Sequence, residues 1–480
     1  MFKDPYRNAS TDDEKTLDPF QTLFSDWSDP EIEEQDFRDD FFQGLTGRRP
    51  KAAALLMAIW LFVIALHWVS WGYAFIWGIT ALMSLRILRL IGAKSQDTPL
   101  PLAEENLDSI SKISLLVAAK NEAAVIDRVV TNLCELDYPA GKYEVWAIDD
   151  CSTDETPQIL KQLAQKYPQL HVVCRSSKAQ GGKSGALNQV LPLCFGDIIG
   201  VFDADAQVPT DLLKRIVPLF DQSDLGAVQV CKAIANAPEN FWTKGQMSEM
   251  ALDGYLQQQR IATGGTGELR GNGQFARRTA LQRCGAWNEY TITDDLDLTV
   301  RLHLDNWQIG LLPIPPVSEE GVTRAVALWH QRNRWAEGGY QRYLDYWRFL
   351  LQSRMGWRKK FDLFYFMFLQ YLLPTAVVPD FCMALVRHQM PVLVPLTTMG
   401  LSLSSLGMFV GLCRNQQRKL NLVDYLRIFA QSVQGMIYMM HWFIIIPCVS
   451  ARMSIRPKRL KWVKTIHEGA EEDGLKLKES

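Results

Sequence analysis

Four groups of polar side chains in this chain have the residue types and spacing that acid–base and phosphate chemistry require. Two follow short apolar runs, the third pairs adjacent carboxylates, and the fourth combines an amide, a guanidinium and an indole. In chain order they are Asp149 with Asp150, Asp203 with Asp205, Asp294 with Asp295, and Gln331 with Arg334 and Trp335. Carboxylates serve as general bases and as ligands of hard cations, and guanidinium groups bind phosphate oxygens. Together the groups predict a site for a metal-bridged diphosphate.

The second group carries the metal prediction. Asp203 and Asp205 are two positions apart and directly follow an apolar run, so both can reach one cation from the end of a buried strand. Mg²⁺ prefers oxygen ligands and usually keeps water and substrate phosphates in its coordination shell. Taken alone, this pair is also compatible with an ordinary polar turn.

The segment 112–320 has the pattern of elements needed to bring these groups together. Apolar runs that predict strands alternate with amphipathic helical patterns, which is typical of an α/β fold with a mostly parallel sheet. The predicted strands cover 113–118, 144–148, 171–174, 197–202 and 226–230. In such sheets ligands bind at the carboxyl ends of the strands, where the first two groups lie.

Composition narrows the class of protein. The 480 residues are 48% hydrophobic and 22% charged, with a net charge of −2, which excludes a disordered chain and gives no reason to expect a nucleic acid partner. The nine cysteines are scattered without a CxxC pair, a pattern that argues against a zinc site or a disulfide framework. The mean hydropathy of −0.08 averages over unlike parts.

Long apolar runs predict an integral, multi-pass membrane protein. The run 52–85 contains no charged residue and would form a helix about 50 Å long, so two crossings with a turn near 67–72 are expected. Further runs cover 363–386, 391–412 and 428–450. Basic clusters flank the runs, which predicts a cytoplasmic catalytic domain. The run 428–450 is either a re-entrant pair turning at Gln434 and Gly435 or an exception to the charge rule, and a cytoplasmic tail is favoured.

The predicted organisation therefore has six parts. They are an acidic, partly disordered cytoplasmic arm (1–47), a transmembrane hairpin (52–89), a catalytic domain (112–320), an interfacial helical segment (321–360), transmembrane helices (363–450) and a basic cytoplasmic tail (451–480). Asp380 is an acid within an apolar run and is a functional candidate or a helix-end residue. Two glycine-rich stretches, 264–267 and 271–273, are expected either to approach a sugar or acceptor closely or to form simple loops.

The four groups, in this order, resemble the D, DxD, (T)ED and QxxRW signature of the membrane-integrated family 2 glycosyltransferases, which include cellulose, chitin and hyaluronan synthases. The stretch 183–188 (KSGALN) matches the family's K-x-G-x-L-N, and 462–467 (WVKTIH) resembles its W-x-K-T-x-H ending. The resemblance implies a GT-A, Rossmann-like catalytic domain flanked by transmembrane helices.

Roles follow from that resemblance residue by residue. Asp149 and Asp150 would contact the uracil and ribose of a UDP-sugar, with Lys183 beside the nucleotide, and Asp203 and Asp205 would hold Mg²⁺ or Mn²⁺. Asp295 would be the general base of an inverting transfer, with Asp297 as the alternative base. Gln331 and Arg334 would hold the diphosphate, and Trp335 would present a flat apolar face to the acceptor.

Over the whole chain the sequence is similar to the β-monoglucosyldiacylglycerol synthases of cyanobacteria. That similarity implies UDP-glucose as donor, 1,2-diacylglycerol or another membrane lipid as acceptor, and a plasma or thylakoid membrane location if the chain is cyanobacterial. Two alternatives remain open at this level. One is a processive β-glycan synthase using a UDP-sugar, and the other is a catalytically inactive membrane scaffold.

Overall fold

The computed structural model describes residues 48–94, 99–103, 110–416 and 418–455. The acidic arm at 1–47 and the tail stretch 462–467 lie outside the described residues. The described chain begins with two apolar helices, α1 (Arg48–Trp68) and α2 (Gly72–Ile91), joined by a turn at 69–71. A side chain at Gly72 would collide with the carbonyl oxygen of Leu66, so the turn requires glycine there.

An α/β domain follows, in which helices and strands alternate along the chain. Its first elements are β1 (Ile113–Ala119), α3 (Ile126–Cys134), β2 (Tyr143–Asp149), α4 (Thr156–Lys166), β3 (Leu170–Cys174), α5 (Gly182–Val190) and β4 (Ile198–Phe202). The others are α6 (Leu212–Ile216), β5 (Leu225–Ile234), α7 (Phe241–Ala262), β6 (Gln274–Arg277), α8 (Arg278–Arg283), α9 (Asp294–Leu304) and β7 (Gln308–Glu319).

The seven strands form one sheet in the order β3-β2-β1-β4-β6-β5-β7. All neighbouring pairs are parallel except those of β6, which is antiparallel to β4 and β5. Both faces of the sheet are covered, since Leu115 and Val117 of β1 belong to one buried core and Leu116 belongs to the other. A parallel strand covered on both faces must be apolar almost throughout, which explains the runs seen in the sequence. The predicted fold class is confirmed.

Two strands were not predicted, and each has a local reason. Strand β6 has four residues, too few for a recognisable alternation. Strand β7 contains Pro313, Pro315 and Pro316, which argue against a strand because proline donates no backbone hydrogen bond. The structure accommodates them because β7 lies at the edge of the sheet, where only one side needs partners.

Helix α10 (Ala325–Gln352) connects the domain to the remaining apolar helices. These are α11 (Trp357–Met367), a π-helical turn (Phe368–Leu372), α12 (Leu373–Arg387), α13 (Val394–Asn415), α14 (Leu422–Met439) and α15 (Trp442–Ile455). Within the described residues, five helical segments are long and apolar enough to cross a membrane. They are Arg48–Trp68, Gly72–Ile91, Trp357–Arg387, Val394–Asn415 and Leu422–Ile455.

The last apolar segment does not turn where the sequence placed its possible re-entrant turn. Helix α14 runs through Gln434 and Gly435 without a break, and the helix is interrupted at 440–441. A Cβ at Gly435 would lie 2.5 Å from Met408 Sδ and 2.7 Å from Ser248 Cβ. This glycine therefore allows α7, α13 and α14 to pack closely, a role that a sequence pattern does not distinguish from a turn.

The last apolar segment and the end of the preceding helix contact α7 and α10. Arg414, at the end of α13, donates to Gln258 of α7 at 2.7 Å, and Trp442, in the middle of the last segment, donates to Glu249 of α7 at 2.9 Å. Arg452, near its end, forms a 2.9 Å ion pair with Glu337 of α10. The end of α13 and the middle and end of the last segment thus all contact helices that belong to or leave the α/β domain.

Candidate active site

The predicted carboxylates meet at one edge of the sheet because the strands that precede them are parallel neighbours. Strand β1 pairs with β2 on one side and with β4 on the other, so the carboxyl ends of all three lie together. Asp150 follows β2 and Asp203 follows β4. A cavity of about 770 Å³ lies at this edge. The predicted residues that line it are Asp150, Lys183, Asp203, Asp205, Asp295, Gln331, Arg334 and Trp335.

Asp149 is the predicted site residue that does not line the cavity. Its carboxylate is 3% exposed and lies 3.3 Å and 3.4 Å from the backbone nitrogen of Ser152, so it stabilises the turn after β2. Asp150 instead faces the cavity and is ion-paired with Arg175. Adjacent residues leaving a strand point to opposite sides, and only one of the two can enter the site.

Lys183 and Asp203 form an ion pair on the cavity wall. Lys183 lies in the first turn of α5, and its ammonium group contacts the Asp203 carboxylate. Burial lowers the pKa of Lys183, but the Asp203 and Asp294 carboxylates outweigh that effect and leave the pKa above its usual value. A protonated lysine here supplies positive charge to a site that is otherwise rich in carboxylates.

Asp205 is a buried carboxylate in a negatively charged environment. It accepts a 2.9 Å hydrogen bond from the backbone N–H of Glu320, while burial and then the neighbouring Glu319 and Asp203 raise its pKa to about 7. A divalent cation would relieve this repulsion, and two carboxylates are the protein ligand set that Mg²⁺ or Mn²⁺ uses when phosphates and water complete its shell. Within the described residues, no group of three or more His, Cys, Asp and Glu side chains has metal-site geometry. A cation site at Asp203 and Asp205 therefore remains a prediction, in which substrate phosphates and water would supply the other ligands.

Asp294 and Asp295 occupy the first turn of α9. Burial and then the charge of Asp294 raise the pKa of Asp295 to about 6, whereas Arg270 and Lys183 partly oppose that rise. A carboxylate with a pKa near neutrality is a better proton acceptor than an ordinary aspartate and is still ionised at pH 7. The position and the pKa of Asp295 both suit a general base.

Asp297 is held away from the cavity. Its carboxylate accepts from Arg301 Nε at 2.7 Å, from the Tyr346 hydroxyl at 2.9 Å and from Asn288 Nδ2 at 3.0 Å. These three donors and its 3% exposure leave it no access to an acceptor. Of the two candidate bases, Asp295 lines the cavity and Asp297 does not.

Helix α10 presents Gln331, Arg334 and Trp335 to the cavity, as their helical spacing predicts. The buried Oε1 atom of Gln331 has no hydrogen-bond partner among the described residues. Burial lowers the pKa of the Arg334 guanidinium, and the nearby Asp203, Asp294 and Asp295 oppose that decrease. A buried, unsatisfied amide oxygen beside a guanidinium is suited to a polar ligand that enters the cavity.

Two cationic groups lie close to the ring of Trp335. The Arg332 guanidinium lies 3.9 Å from its ring centroid, and Lys232 Nζ lies 5.3 Å from it. Arg332 is itself fully buried and is paired with Glu249 at 2.6 Å. These contacts orient the indole plane within the cavity wall.

A buried charge cluster at the site was missed by the sequence analysis. Glu268 is 0% exposed and forms ion pairs with Arg270 at 2.6 Å, Arg260 at 3.0 Å and Arg342 at 3.3 Å. Arg270 also pairs with Asp253 of α7 at 2.8 Å. The members lie on α7, the following loop and α10, and no spacing within the sequence relates them.

The two glycine-rich stretches differ in their surroundings. In the first, Gly265 and Gly267 approach Asp362 and the carbonyl group of Ile309, so the close contacts are within the protein. In the second, Gly271 lines the cavity, and a Cβ there would lie 3.6 Å from Asp295 Oδ2. A close approach to a ligand thus remains a prediction for the second stretch alone.

The cavity continues from the carboxylates into the apolar helices. Beyond Trp335 its wall consists of side chains from α11 to α15, including Phe366, Leu373, Leu401, Met436, Phe443 and Ile446. Asp380, the acid predicted within an apolar run, is not part of this wall. It accepts from His67 Nε2 at 2.8 Å and from the backbone N–H groups of Val392 and Leu393 at 2.8 Å and 3.0 Å, and it thereby joins α1, α12 and the loop before α13.

Comparisons with known proteins agree with this arrangement. A family model described as "Glycosyl transferase family 2" matches residues 114–285. The chain is 57% identical to the beta-monoglucosyldiacylglycerol synthase of Synechocystis sp., and the match covers 98% of each chain. It is 56% identical to the enzyme of the same name from Nostoc sp., over 96% of this chain and 98% of that protein.

Among solved structures, the chain is similar to the mannosyltransferase PcManGT from Pyrobaculum calidifontis, described in complex with GDP-Man and Mn²⁺. The likeness has a TM-score of 0.50 at 21% identity and covers 80% of this chain and 98% of that one. At this identity the likeness concerns the fold, and it agrees with the mostly parallel sheet described above.

Proposed function

The chain belongs to glycosyl transferase family 2 and to the family of the β-monoglucosyldiacylglycerol synthases, and we propose that it makes the same glucolipid. In this proposal it transfers glucose from UDP-glucose to the free hydroxyl of 1,2-diacylglycerol. The transfer inverts the anomeric centre and gives β-monoglucosyldiacylglycerol.

The observation that carries the proposal is the continuity of the cavity. Its charged part, with Asp203, Asp295 and Arg334, suits a nucleotide sugar, and its apolar part among α11 to α15 suits a lipid. An acceptor with a hydroxyl headgroup and hydrocarbon chains matches both parts at once. A hydrophilic polymer would bring its hydroxyl groups against the apolar wall, which offers them few hydrogen-bond partners.

The donor is assigned to the polar part of the cavity. Asp150 accepts hydrogen bonds from the nucleoside, while Asp149 holds the turn that positions it. Lys183, Gln331 and Arg334 bind the diphosphate, with Arg334 placed by α10 among Asp203 and Asp295. A divalent cation, Mg²⁺ or Mn²⁺, held by Asp203 and Asp205 would screen the negative charge of the leaving diphosphate.

The transfer itself needs one proton acceptor. Asp295 takes the proton from the acceptor hydroxyl as that oxygen forms a bond to the anomeric carbon, and the bond from that carbon to the UDP oxygen breaks. Attack from the face opposite the leaving group inverts the configuration. Trp335, oriented by Arg332, presents its ring to the apolar part of the acceptor near the reacting hydroxyl.

A multi-pass arrangement with the catalytic domain in the cytoplasm follows from the same proposal, because nucleotide sugars are found there. Its support is the basic residues at the helix ends. The segment Leu422–Ile455 is proposed to enter the membrane without crossing it, because Trp442 and Arg452 both contact helices on the domain side. The tail then lies on the cytoplasmic side, although 456–480 is outside the described residues.

The deciding experiment uses membranes that contain the full chain, labelled UDP-glucose and added diacylglycerol. A chloroform-soluble monoglucosyl lipid is expected, with loss of product in Asp295→Asn. An insoluble polymer would instead support the processive synthase, and turnover retained in Asp295→Asn would support the scaffold. Substituting UDP-galactose or UDP-N-acetylglucosamine tests the identity of the sugar.

A further inference from the structure

One residue in the wall of the apolar part of the cavity is a glycine and so has no side chain. Gly400 lies on α13 and lines the cavity, and a Cβ built there meets only Leu373 Cδ2 at 4.0 Å. Glycine within a helix is costly relative to alanine, and this one is not required for close packing of helices. It contrasts with Gly407 and Gly411 of the same helix, where a Cβ would collide with α7.

The position of Gly400 along α13 follows from helix geometry. Gly407 packs against Leu252 and Tyr255 of α7, at the border between the α/β domain and the apolar helices. Seven residues of α-helix separate Gly407 from Gly400, which places Gly400 about 10 Å further along the axis of α13. Gly400 therefore lies away from the part of α13 that packs against α7, and its neighbours in the cavity wall on α13 are Thr397, Leu401, Leu403 and Ser404.

The residues of α14 and α15 that line the cavity, and those between the two helices, are mostly apolar. Met436 and Met439 of α14 and Met440 at the helix interruption line the cavity together with Phe443 of α15. Methionine is unbranched and polarisable, so a wall rich in methionine adapts to chains of different shape. No charged side chain lines the cavity on α13, α14 or α15 among the described residues.

We propose that this apolar compartment holds an acyl chain of the acceptor and that Gly400 keeps it open, so that residue 400 determines the length of chain accepted. The inference rests on the proposed function and specifies its acceptor. The open wall at Gly400 admits the distal methylene groups of a long chain. A short chain ends before this depth and makes no contact with residue 400.

The test compares two glycine-to-leucine variants of the full chain. Gly400→Leu places a side chain in the compartment. Gly78→Leu is the matched control, because Gly78 lies on the exposed face of α2 and does not line the cavity, and a Cβ added there would meet nothing within 4 Å. Both changes improve helix propensity equally, so a difference between them reports the position alone.

Initial rates are measured in detergent micelles with dioctanoylglycerol or dioleoylglycerol as acceptor. UDP-glucose is saturating when the acceptor is varied and is itself varied to obtain its KM. Gly400→Leu is expected to lower kcat/KM for dioleoylglycerol about tenfold, which corresponds to excluding about two methylene groups from an apolar site. Its kcat/KM for dioctanoylglycerol and its KM for UDP-glucose are expected to stay within twofold of the unmodified chain. Gly78→Leu should leave both acceptors unchanged.

An equal loss with both acceptors would overturn the inference, because it would mean that a bulk lipid or helix packing occupies this space. Unchanged kcat/KM values for both acceptors would overturn it as well. Gly400→Ala, whose methyl group fits without collision, serves as a milder variant if the leucine variant fails to fold, and should shift the ratio in the same direction by a smaller factor. Failure of the proposed function is distinguishable, because the unmodified chain would then form no glucolipid from either acceptor.

Discussion

Replacing Glu268 by glutamine tests the buried charge cluster beside the active site. The change keeps the shape of the side chain and removes one negative charge from among Arg260, Arg270 and Arg342. Arg260 keeps Asp362 at 2.9 Å and Arg270 keeps Asp253 at 2.8 Å. Arg342, which is 3% exposed, is left without the carboxylate that pairs with it.

The expected loss of folding stability follows from the single arginine, Arg342, that loses its partner. Leaving one buried guanidinium uncompensated costs about 3–5 kcal/mol of folding stability. At roughly 2–4 °C per kcal/mol for a domain of this size, the thermal unfolding midpoint should fall by on the order of 10 °C. Burial raises the pKa of Glu268, but Arg342, Arg260 and Arg270 outweigh burial and hold the pKa well below its usual range, so the carboxylate is ionised at neutral pH.

The assay is thermal unfolding of the purified chain in detergent, followed by tryptophan fluorescence. Glu239→Gln, at an exposed position on the same domain, is the control and should change the midpoint little. The double variant Glu268→Gln with Arg342→Met removes both members of the pair and should regain much of the loss. A midpoint within about 1 °C of the unmodified chain for Glu268→Gln alone would refute the buried, charged cluster.

Four further outcomes are expected. Asp295→Asn should lower kcat by about 10²–10⁴-fold with little change in the KM for UDP-glucose, since it removes the proton acceptor and no donor contact, and steady-state kinetics with both substrates checks this. Because burial and Asp294 raise the pKa of Asp295 to about 6 and the base must be deprotonated, the rate should fall as the pH drops through about 6 and level off above it in a pH–rate profile. Chelation with EDTA should abolish transfer, Mg²⁺ or Mn²⁺ should restore it, and Asp205→Asn should raise the cation concentration needed for half-maximal rate. A reporter enzyme fused after Ser480 should be active on the same side of the membrane as one inserted in the catalytic domain, and activity on the opposite side would contradict the proposed path of α14 and α15.

The sequence alone determined the features that depend on neighbours along the chain. Asp203 could be placed at the edge of the sheet because it directly follows an apolar run, whereas Asp295 was predicted as a site residue through the resemblance to the family 2 signature. The parallel sheet was also predictable, since strands buried on both faces must be apolar throughout. The spacing of Gln331, Arg334 and Trp335 placed all three on one helix face for the same local reason.

Only the tertiary structure decided the features that depend on distant residues. It separated Asp150 from Asp149 and Asp295 from Asp297 by the donors that surround each carboxylate. It brought Glu268 into contact with Arg342 although 74 positions separate them. It also joined the polar site to an apolar compartment built from five successive helical elements. Burial, pairing and cavity shape arise from elements that meet only when the chain is folded, and no periodicity along the sequence records which elements those will be.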